Sequence, residues 1–335
     1  MRRHAAATLA ATDVRFYARH QAEVNCCALS RDCRSVLTCS DDGRLYLWDA
    51  GSAELLAELS GHAGPVKTCA VSPCGHLCAS GSLDATVRIW DAAAAPVTCL
   101  RVLTGHKKSV ETVSFSPDSR WLVSGSWDQS AVVWEVQTGQ AFRELRGHTG
   151  AIQSSAFAED SQYVATGAWD YMVKVWNLLV EDEVVTLEGH SGNIASVCFS
   201  VVGMLASGSW DSSVRVWLPE KGVCLFVLTG PTRAWVRSLA FSRDGLVLAS
   251  AAEGDLVSVV DVLRCNNFAA TSSFPKRLPS CRSGFGTCQT ANVLTAYRDI
   301  RTLRTGASSL QVALCSRVVL RSGTDTQQTG HAAYE

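Results

Sequence analysis

Four kinds of residue that could carry acid-base or nucleophilic chemistry recur together along the chain: a histidine, a serine or threonine, an aspartate and a tryptophan. In each set the hydroxyl residue lies ten positions before the tryptophan, and the aspartate lies six before it. Histidine, a hydroxyl and aspartate are the parts of a hydrolase triad, in which the imidazole takes the proton of a nucleophilic hydroxyl. The sets are His20, Thr38, Asp42 and Trp48; His62, Ser80, Asp84 and Trp90; His106, Ser124, Asp128 and Trp134; His148, Thr166, Asp170 and Trp176; and His190, Ser207, Asp211 and Trp217.

The repetition of these sets favours a structural role over a catalytic one. A hydrolase needs one exposed nucleophile with an oxyanion site beside it, whereas these sets recur five times at the same place. Carboxylate, imidazole, hydroxyl and indole N–H can instead form a chain of donors and acceptors that ties neighbouring segments together. We therefore expect five structural tetrads and no catalytic residues. The chain also lacks P-loop, GxGxxG, HExxH and GxSxG motifs, so an enzyme is the least favoured class.

The elements that must position the tetrads follow from the period of the repeat. The five tetrad tryptophans are separated by 42, 44, 42 and 41 residues, and a histidine, usually after glycine, precedes each unit. Each unit contains short apolar runs such as VKTCAVS (66–72), HLCAS (76–80) and TVRIW (86–90), separated by turn residues such as SPCG and SPDS. A further segment joins each tryptophan to the next histidine. Four short strands per unit predict the blades of an all-β propeller.

Composition and charge exclude several alternatives. The chain has 335 residues, of which 47% are hydrophobic and 18% are charged, so it can bury a large core. Thirty basic residues against 31 acidic ones give no overall reason to expect nucleic acid or a membrane surface as the partner of the propeller. The longest uncharged run, 189–210, contains histidine, asparagine, serine and glycine and is interpreted as β structure rather than a membrane span.

The 14 cysteines are interpreted as packing residues. Cys26, Cys69 and Cys198 lie in strand-like runs, where cysteine behaves as a small hydrophobic residue. No paired CxxC arrangement with the spacing of a zinc site occurs. We expect neither a metal site nor a cofactor.

These residues and motifs resemble the WD40 repeat family, with its GH and WD dipeptides, from about His20 to Asp261. Three segments, VETVSFSPDSR (110–120), ATGAWD (165–170) and LASGSWDSSVRVW (205–217), are similar to one member in particular. The resemblance implies the same tetrad and usually seven blades. It also implies that an N-terminal strand completes the last blade and closes the ring, for which VRFYA (14–18) is the candidate.

The pattern degrades towards the C-terminus. A sixth unit keeps the strands VRSLAFS (236–242), VLAS (247–250) and LVSVVD (256–261) but retains only Ser250 of a tetrad, so we expect the least stable blade there. We place the propeller at 1–261, with repeats at about 19–60, 61–104, 105–146, 147–188, 189–229 and 230–261. Residues 262–335 carry nine basic residues against three acidic ones, and the first 261 carry 21 against 28. This segment is either an irregular seventh blade or a solvated tail, and both alternatives stay open.

The resemblance also implies where partners dock. In similar proteins, peptides often bind the top face of the ring through the residue before the tetrad aspartate and the residue five after the histidine. The first set is Asp41, Leu83, Trp127, Trp169 and Trp210, with Glu253 in the degraded unit. The second set is Asn25, Lys67, Glu111, Gln153 and Ala195, with Arg237 as the equivalent in the sixth unit. The three tryptophans fall at matching positions in three consecutive units, so we expect them to line an arc on one face of the ring. This arc is either a binding hot spot, because large indoles dominate interface energetics, or a set of rings that each pack over a neighbouring loop.

Three classes of function follow from these patterns. The favoured one is a non-enzymatic scaffold that binds other proteins or peptides as a monomer within a larger complex. It would be intracellular, in the cytoplasm or nucleus, with centriolar or ciliary assembly as one setting that similar propellers serve. The alternative is a substrate receptor of a ubiquitin ligase or a histone-peptide reader. The Trp-Asp-x-Arg signature of many such receptors is missing, because Trp48-Asp49 leads to Ala50-Gly51. The third class, an enzyme, lacks a catalytic set outside the tetrads.

Overall fold

The part of the chain that the structure describes folds almost entirely into short antiparallel strands. The computed structural model describes residues 17, 19–181, 183–229, 234–253 and 256–262. Within them the strands form five sheets of four and one sheet of three, and each sheet follows chain order from its first strand to its last. A single 3-10 turn, Pro219–Lys221, interrupts the strands of this part of the chain. The prediction of an all-β propeller built from repeated blades is confirmed.

The sheets use consecutive stretches of sequence. The first contains β1 (Val24–Leu29), β2 (Ser35–Ser40), β3 (Arg44–Asp49) and β4 (Leu55–Ser60). The second contains β5 (Val66–Val71), β6 (Leu77–Ser82), β7 (Thr86–Asp91) and β8 (Thr98–Thr104). The third contains β9 (Val110–Phe115), β10 (Trp121–Ser126), β11 (Ser130–Glu135) and β12 (Ala141–Arg146). The fourth contains β13 (Ile152–Phe157), β14 (Tyr163–Ala168), β15 (Val173–Asn177) and β16 (Val184–Leu187). The fifth contains β17 (Ile194–Phe199), β18 (Leu205–Ser209), β19 (Ser213–Leu218) and β20 (Val223–Thr229), and the sixth contains β21 (Val236–Phe241), β22 (Val247–Ala252) and β23 (Leu256–Asp261).

The turns between first and second strands are built by the residues that the sequence analysis identified as turn formers. In the third sheet, the Ser116 hydroxyl accepts the backbone N–H of Trp121 at 2.9 Å, and the Asp118 carboxylate accepts that of Arg120 at 3.0 Å. Ser119 adopts a positive φ of 60° between them. Side chains that satisfy local backbone N–H groups in this way hold the two strands in register.

Buried clusters lie between neighbouring sheets, so the core of the described residues is divided among the blade interfaces. One cluster, for example, joins Val87 and Ile89 of β7 to Val113 of β9 and Leu122 of β10. Equivalent clusters connect the first sheet to the second, the third to the fourth, the fourth to the fifth and the fifth to the sixth. The first strand of each sheet also packs against the first strand of the next. The blades therefore stand side by side around the first strands, as the repeat predicts.

One glycine shows how closely adjacent blades approach. A Cβ added to Gly125 of β10 would lie 2.5 Å from Ile152 Cγ2 of the next sheet and 2.7 Å from Thr112 Cγ2 of its own. Such distances are below van der Waals contact, so only a residue without a side chain fits there. The glycine directly after the tetrad hydroxyl residue, in S-G-S (124–126) and T-G-A (166–168), thus reflects packing between blades.

The sixth sheet keeps its three predicted strands, and β22 pairs with both β21 and β23. Of the closing strand predicted at 14–18, only Tyr17 is described; its ring lies 5.5 Å from that of Trp48. Residues 263–335 lie outside the described residues, and so does the seventh blade predicted from them. The division of the chain at residue 261 stays a prediction.

Candidate functional site

All five tetrads are assembled as hydrogen-bonded chains. The histidine Nδ1 lies 2.7–3.0 Å from the aspartate Oδ2, and its Nε2 lies 2.7–2.9 Å from the serine or threonine hydroxyl. The tryptophan Nε1–H donates to the same hydroxyl at 2.7–2.9 Å. A carboxylate can only accept, so a neutral imidazole donates from Nδ1 and receives the hydroxyl proton at Nε2.

This order of donors is the same as in a hydrolase triad, but the hydroxyl cannot act as a nucleophile. Ser80, Ser124, Thr166 and Ser207 are fully buried, and the indole N–H of the tetrad occupies a lone pair of each hydroxyl oxygen. A substrate carbonyl has no access to such an oxygen. The tetrad instead connects the loop before the first strand, the second strand, the turn that follows it and the third strand.

The tetrad aspartates hold strongly stabilised carboxylates. Burial by itself raises the pKa of Asp128, but hydrogen bonds from the Ser130 hydroxyl and from the backbone N–H groups of Lys107 and Ser130 outweigh it. These bonds lower the pKa of Asp128 to about 2. Each carboxylate is thus held in its charged form by donors that only the folded chain brings together.

The pKa of a tetrad aspartate is lowered further where the residue two positions after it carries a hydroxyl group. Burial again opposes the shift at Asp84, where the Thr86 hydroxyl is the largest of the bonds that lower its pKa to about 2. Asp170 is followed at that position by Met172, whose backbone N–H donates at 3.1 Å but whose side chain cannot. Its pKa is also lowered, against the effect of burial, mainly by the hydrogen bond from His148.

A central cavity of about 790 Å³ is lined by the first strands of all six sheets. Nine of the predicted partner-binding residues line it: Asn25, Lys67, Glu111, Gln153, Ala195, Arg237, Trp127, Trp169 and Trp210. The first six lie where the first strands begin, and the three tryptophans lie in the turns after the second strands. Asp41, Leu83 and Glu253 are not among the lining residues. Leu83 is an exposed side chain in the turn after β6.

Four exposed or half-buried tryptophans form a continuous series at this end of the cavity, which we call the indole arc: Trp127, Trp169, Trp210 and Trp235. Neighbouring ring centroids lie 5.5 Å, 6.0 Å and 4.5 Å apart, and the last pair is stacked. Trp127 is 44% exposed and Trp169 37%. Trp235 was not predicted from the sequence; it precedes β21 at a position occupied by Ser109, Ala151 or Asn193 in preceding repeats. The only feature of the sequence that could have indicated it is the tryptophan itself in AWVRSLAFS (234–242).

The opposite side of the same end is polar. The Lys67 Nζ lies 2.7 Å from the Asp41 Oδ1, and the Asn25 side-chain amide donates to the same oxygen at 2.6 Å. This amide also donates to the backbone carbonyl of Val66. The cluster connects the first and second blades, so the cavity opening has an aromatic side and a charged side.

The described residues contain no group of three or more metal-ligating side chains with the geometry to hold an ion. They also contain no helix with the length and hydropathy needed to cross a bilayer.

Comparison with known proteins identifies the repeat. The WD40 family, described as "WD domain, G-beta repeat", matches six segments: residues 11–49, 53–91, 97–135, 139–177, 181–217 and 222–261. Together they cover well over half of the chain.

Three relatives show how far the similarity extends. WD repeat-containing protein 38 of Mus musculus is 53% identical over 53 residues, which are 16% of this chain and 18% of that protein. This is the member that the three segments of the sequence analysis resemble. The Periodic tryptophan protein 2 homolog of Schizosaccharomyces pombe is 38% identical over 77 residues, 23% of this chain and 9% of that protein. Serine-threonine kinase receptor-associated protein of Bos taurus is 39% identical over 69 residues, 21% of this chain and 20% of that protein. The chain therefore matches a fifth or less of the length of each relative.

Proposed function

The chain belongs to the WD40 repeat family, and from this premise we propose that it is a non-enzymatic scaffold that binds partner proteins through the aromatic side of the cavity opening. WD40 repeats form protein-interaction scaffolds and typically have no catalytic activity. The partners are peptides or whole proteins, and the chain acts as a monomer within a larger complex. Its setting is intracellular, cytoplasmic or nuclear, with centriolar and ciliary structures as specific places to look.

The indole arc is the observation that carries this proposal. Its tryptophans leave large aromatic faces in solvent, although the chain buries the five tetrad tryptophans almost completely. Exposed apolar groups that form a continuous patch commonly mark interaction sites. Indoles supply a large contact area at low cost in conformational entropy, and their N–H groups add directional hydrogen bonds.

Hydrogen bonds within the chain already hold one ring of the arc, that of Trp169, in a defined orientation. The Trp169 indole N–H donates to the Gln153 Oε1 at 3.0 Å, and the Gln153 amide donates to the Glu111 Oε2 at 3.4 Å. These bonds hold the Trp169 ring in place before a partner arrives. A preorganised aromatic surface loses less rotamer entropy on binding than a free one.

Charges on the other side of the opening supply selectivity in this proposal. Lys67 and Asp41 form an ion pair that is partly open to solvent. Charges at the edge of an interface change association rates and discriminate between partners more than they add affinity. Replacing Lys67 by glutamate should therefore change which partners bind rather than abolish binding.

Affinity capture from cell extract tests the proposal with three forms of the full chain: wild type, the triple variant Trp127→Ala, Trp169→Ala, Trp210→Ala, and the control Phe142→Ala. Phe142 is a suitable control because it is an exposed aromatic residue on the outer strand β12, away from the arc. We expect a set of proteins that binds the wild type and the control but not the triple variant. Thermal melts must show that all three forms are folded.

Equal capture by all forms would contradict the proposal and move the binding surface away from the arc. Partners retained by the triple variant and lost from the control would place that surface on the outer strands instead.

A further inference from the structure

One end of the indole arc already holds a cation. The Arg237 guanidinium lies 5.2 Å from the ring centroid of Trp210 and 5.0 Å from that of Trp235. Its Nη2 also lies 3.6 Å from the Glu253 Oε1. Two indoles and one carboxylate therefore surround one arginine at this end.

The other end has the same kinds of group but no cation. Trp127 and Trp169 lie 5.5 Å apart and are both open to solvent. In the described part of the chain, no lysine or arginine lies over either ring, and no basic group lies within ion-pair distance of the Glu111 carboxylate. The donors to Glu111 are neutral: the Ser109 hydroxyl at 2.8 Å and the Gln153 amide at 3.4 Å.

Glu111 is also connected through hydrogen bonds to the backbone of Trp127 and to the indole of Trp169. Ser109, which donates to Glu111, accepts the backbone N–H of Trp127 on its carbonyl at 3.0 Å. Gln153, which donates to Glu111 as well, accepts the indole N–H of Trp169. Two independent hydrogen-bonded connections therefore join the carboxylate to this pair of tryptophans.

We infer that an arginine side chain of the partner protein occupies this end, over the Trp127 and Trp169 rings and beside the Glu111 carboxylate. This inference rests on the proposed function and adds the chemistry of the partner. Arg237 at the opposite end shows that a guanidinium in this protein lies beside two neighbouring indoles of the arc and one carboxylate. A partner's arginine brings the same three kinds of group together in trans.

The charges and shapes favour arginine over other occupants. A planar guanidinium stacks on indole faces and forms directional hydrogen bonds to a carboxylate, whereas an ammonium acts as a compact point charge that is more strongly hydrated. The first 261 residues carry 21 basic and 28 acidic residues, so the propeller as a whole also attracts a basic segment.

The experiment selects binding peptides from a phage-displayed random library on the full-length protein and keeps those that lose binding to Trp169→Ala. One enriched peptide is then synthesised with arginine, with lysine or with citrulline at its basic position. Citrulline is the neutral, nearly isosteric form of arginine. Dissociation constants are measured against wild type, Glu111→Gln and the control Glu144→Gln, which changes an exposed carboxylate on the outer strand β12.

We expect the enriched peptides to share an arginine whose replacement by citrulline weakens binding about tenfold, with the lysine form in between. Glu111→Gln should weaken binding of the arginine peptide by a similar factor and leave the citrulline peptide almost unchanged, since the two changes remove the same interaction. Glu144→Gln should change neither peptide.

Peptides that depend on Trp169 but carry no basic residue, or that show no coupling to Glu111, would overturn this inference and leave the proposed function standing. If the selection yields no peptide that depends on Trp169, the proposed function fails and this inference fails with it.

Discussion

Two groups of tryptophans in this molecule have opposite environments. Those of the tetrads are between 1% and 5% exposed, and each donates its N–H to a buried hydroxyl. Those of the indole arc present much of their ring surface to solvent and lie next to one another in a series. Within one repeat, Trp127 and Trp134 are only seven residues apart and belong to different groups.

Position in the repeat decides which role an indole takes. Trp134 lies on the third strand of its sheet, where its ring enters the cluster shared with the neighbouring blade. Trp127 lies in the turn before that strand, next to the aspartate whose side chain points into the tetrad. The aspartate side chain is held inside the tetrad, whereas the Trp127 ring lines the opening of the central cavity. The repeat therefore separates residues that build the ring from residues free to bind.

Replacing one tryptophan of each group by alanine should give the largest difference in the free energy of unfolding. Trp134→Ala should lower the free energy of unfolding by about 3–5 kcal/mol, since it leaves a cavity and an unpaired Ser124 hydroxyl. Trp127→Ala should lower it by less than about 1 kcal/mol, because it removes a half-exposed ring. Urea denaturation of both variants measures the two values. Similar losses in both would break the distinction between the groups.

The tetrad aspartate is the next most sensitive group. Asp128→Ala removes the acceptor of His106, of the Ser130 hydroxyl and of two backbone N–H groups. We expect a loss of about 1–3 kcal/mol, the cost of buried donors without partners. Glu253→Ala serves as the comparison, since its exposed carboxylate lies in the sixth blade, where the tetrad is incomplete. A melting temperature of Asp128→Ala equal to that of the wild type would contradict the role of the tetrad.

The stability that the tetrad aspartates contribute should fall with the pH in a defined range. The pKa of Asp84 and Asp128 is lowered to about 2 in the folded chain, through hydrogen bonds that outweigh burial, against about 3.9 for an unfolded aspartate. A depressed pKa means that the folded state binds protons more weakly. The stability from these carboxylates is therefore fully present above about pH 4 and is lost as the pH falls from 4 towards 2.

Asp128→Asn tests this dependence, because an amide does not titrate. We expect the variant to lose about 1–2 kcal/mol less stability than the wild type between pH 4 and pH 2, measured by urea denaturation at a series of pH values. Parallel curves for variant and wild type would show that this carboxylate is not coupled to folding.

The sequence predicted the tetrads and three members of the arc because these residues keep fixed offsets from one another. Offsets of that kind follow from the geometry of a single repeat, so the positions of Trp127, Trp169 and Trp210 could be deduced from their spacing alone. Trp235 could not be found in this way, since its repeat position, directly before the first strand, holds Ser109, Ala151 or Asn193 in the preceding repeats and no aromatic residue. Contacts across blades, such as Lys67 with Asp41 or Arg237 over two indoles, also depend on how neighbouring sheets are rotated.

The sixth sheet shows a second limit to what the sequence could predict. Its strands could be identified because they keep short apolar runs, although most markers of the tetrad are missing. Their pairing partner beyond β23 could not be chosen from the sequence, since two alternatives for residues 262–335 satisfy the same pattern.

The indole arc binds the partner in this account, whereas the tetrad tryptophans stabilise the propeller. The NMR signals of the indole N–H groups of the full chain test this distinction directly. An arginine peptide from the selection would be titrated into ¹⁵N-labelled protein, with signals assigned by single Trp→Phe variants. We expect the signals of Trp127 and Trp169 to move with the peptide concentration while those of the five tetrad indoles stay in place. Saturable binding that leaves the arc signals unmoved, or that shifts the tetrad signals instead, would contradict the account.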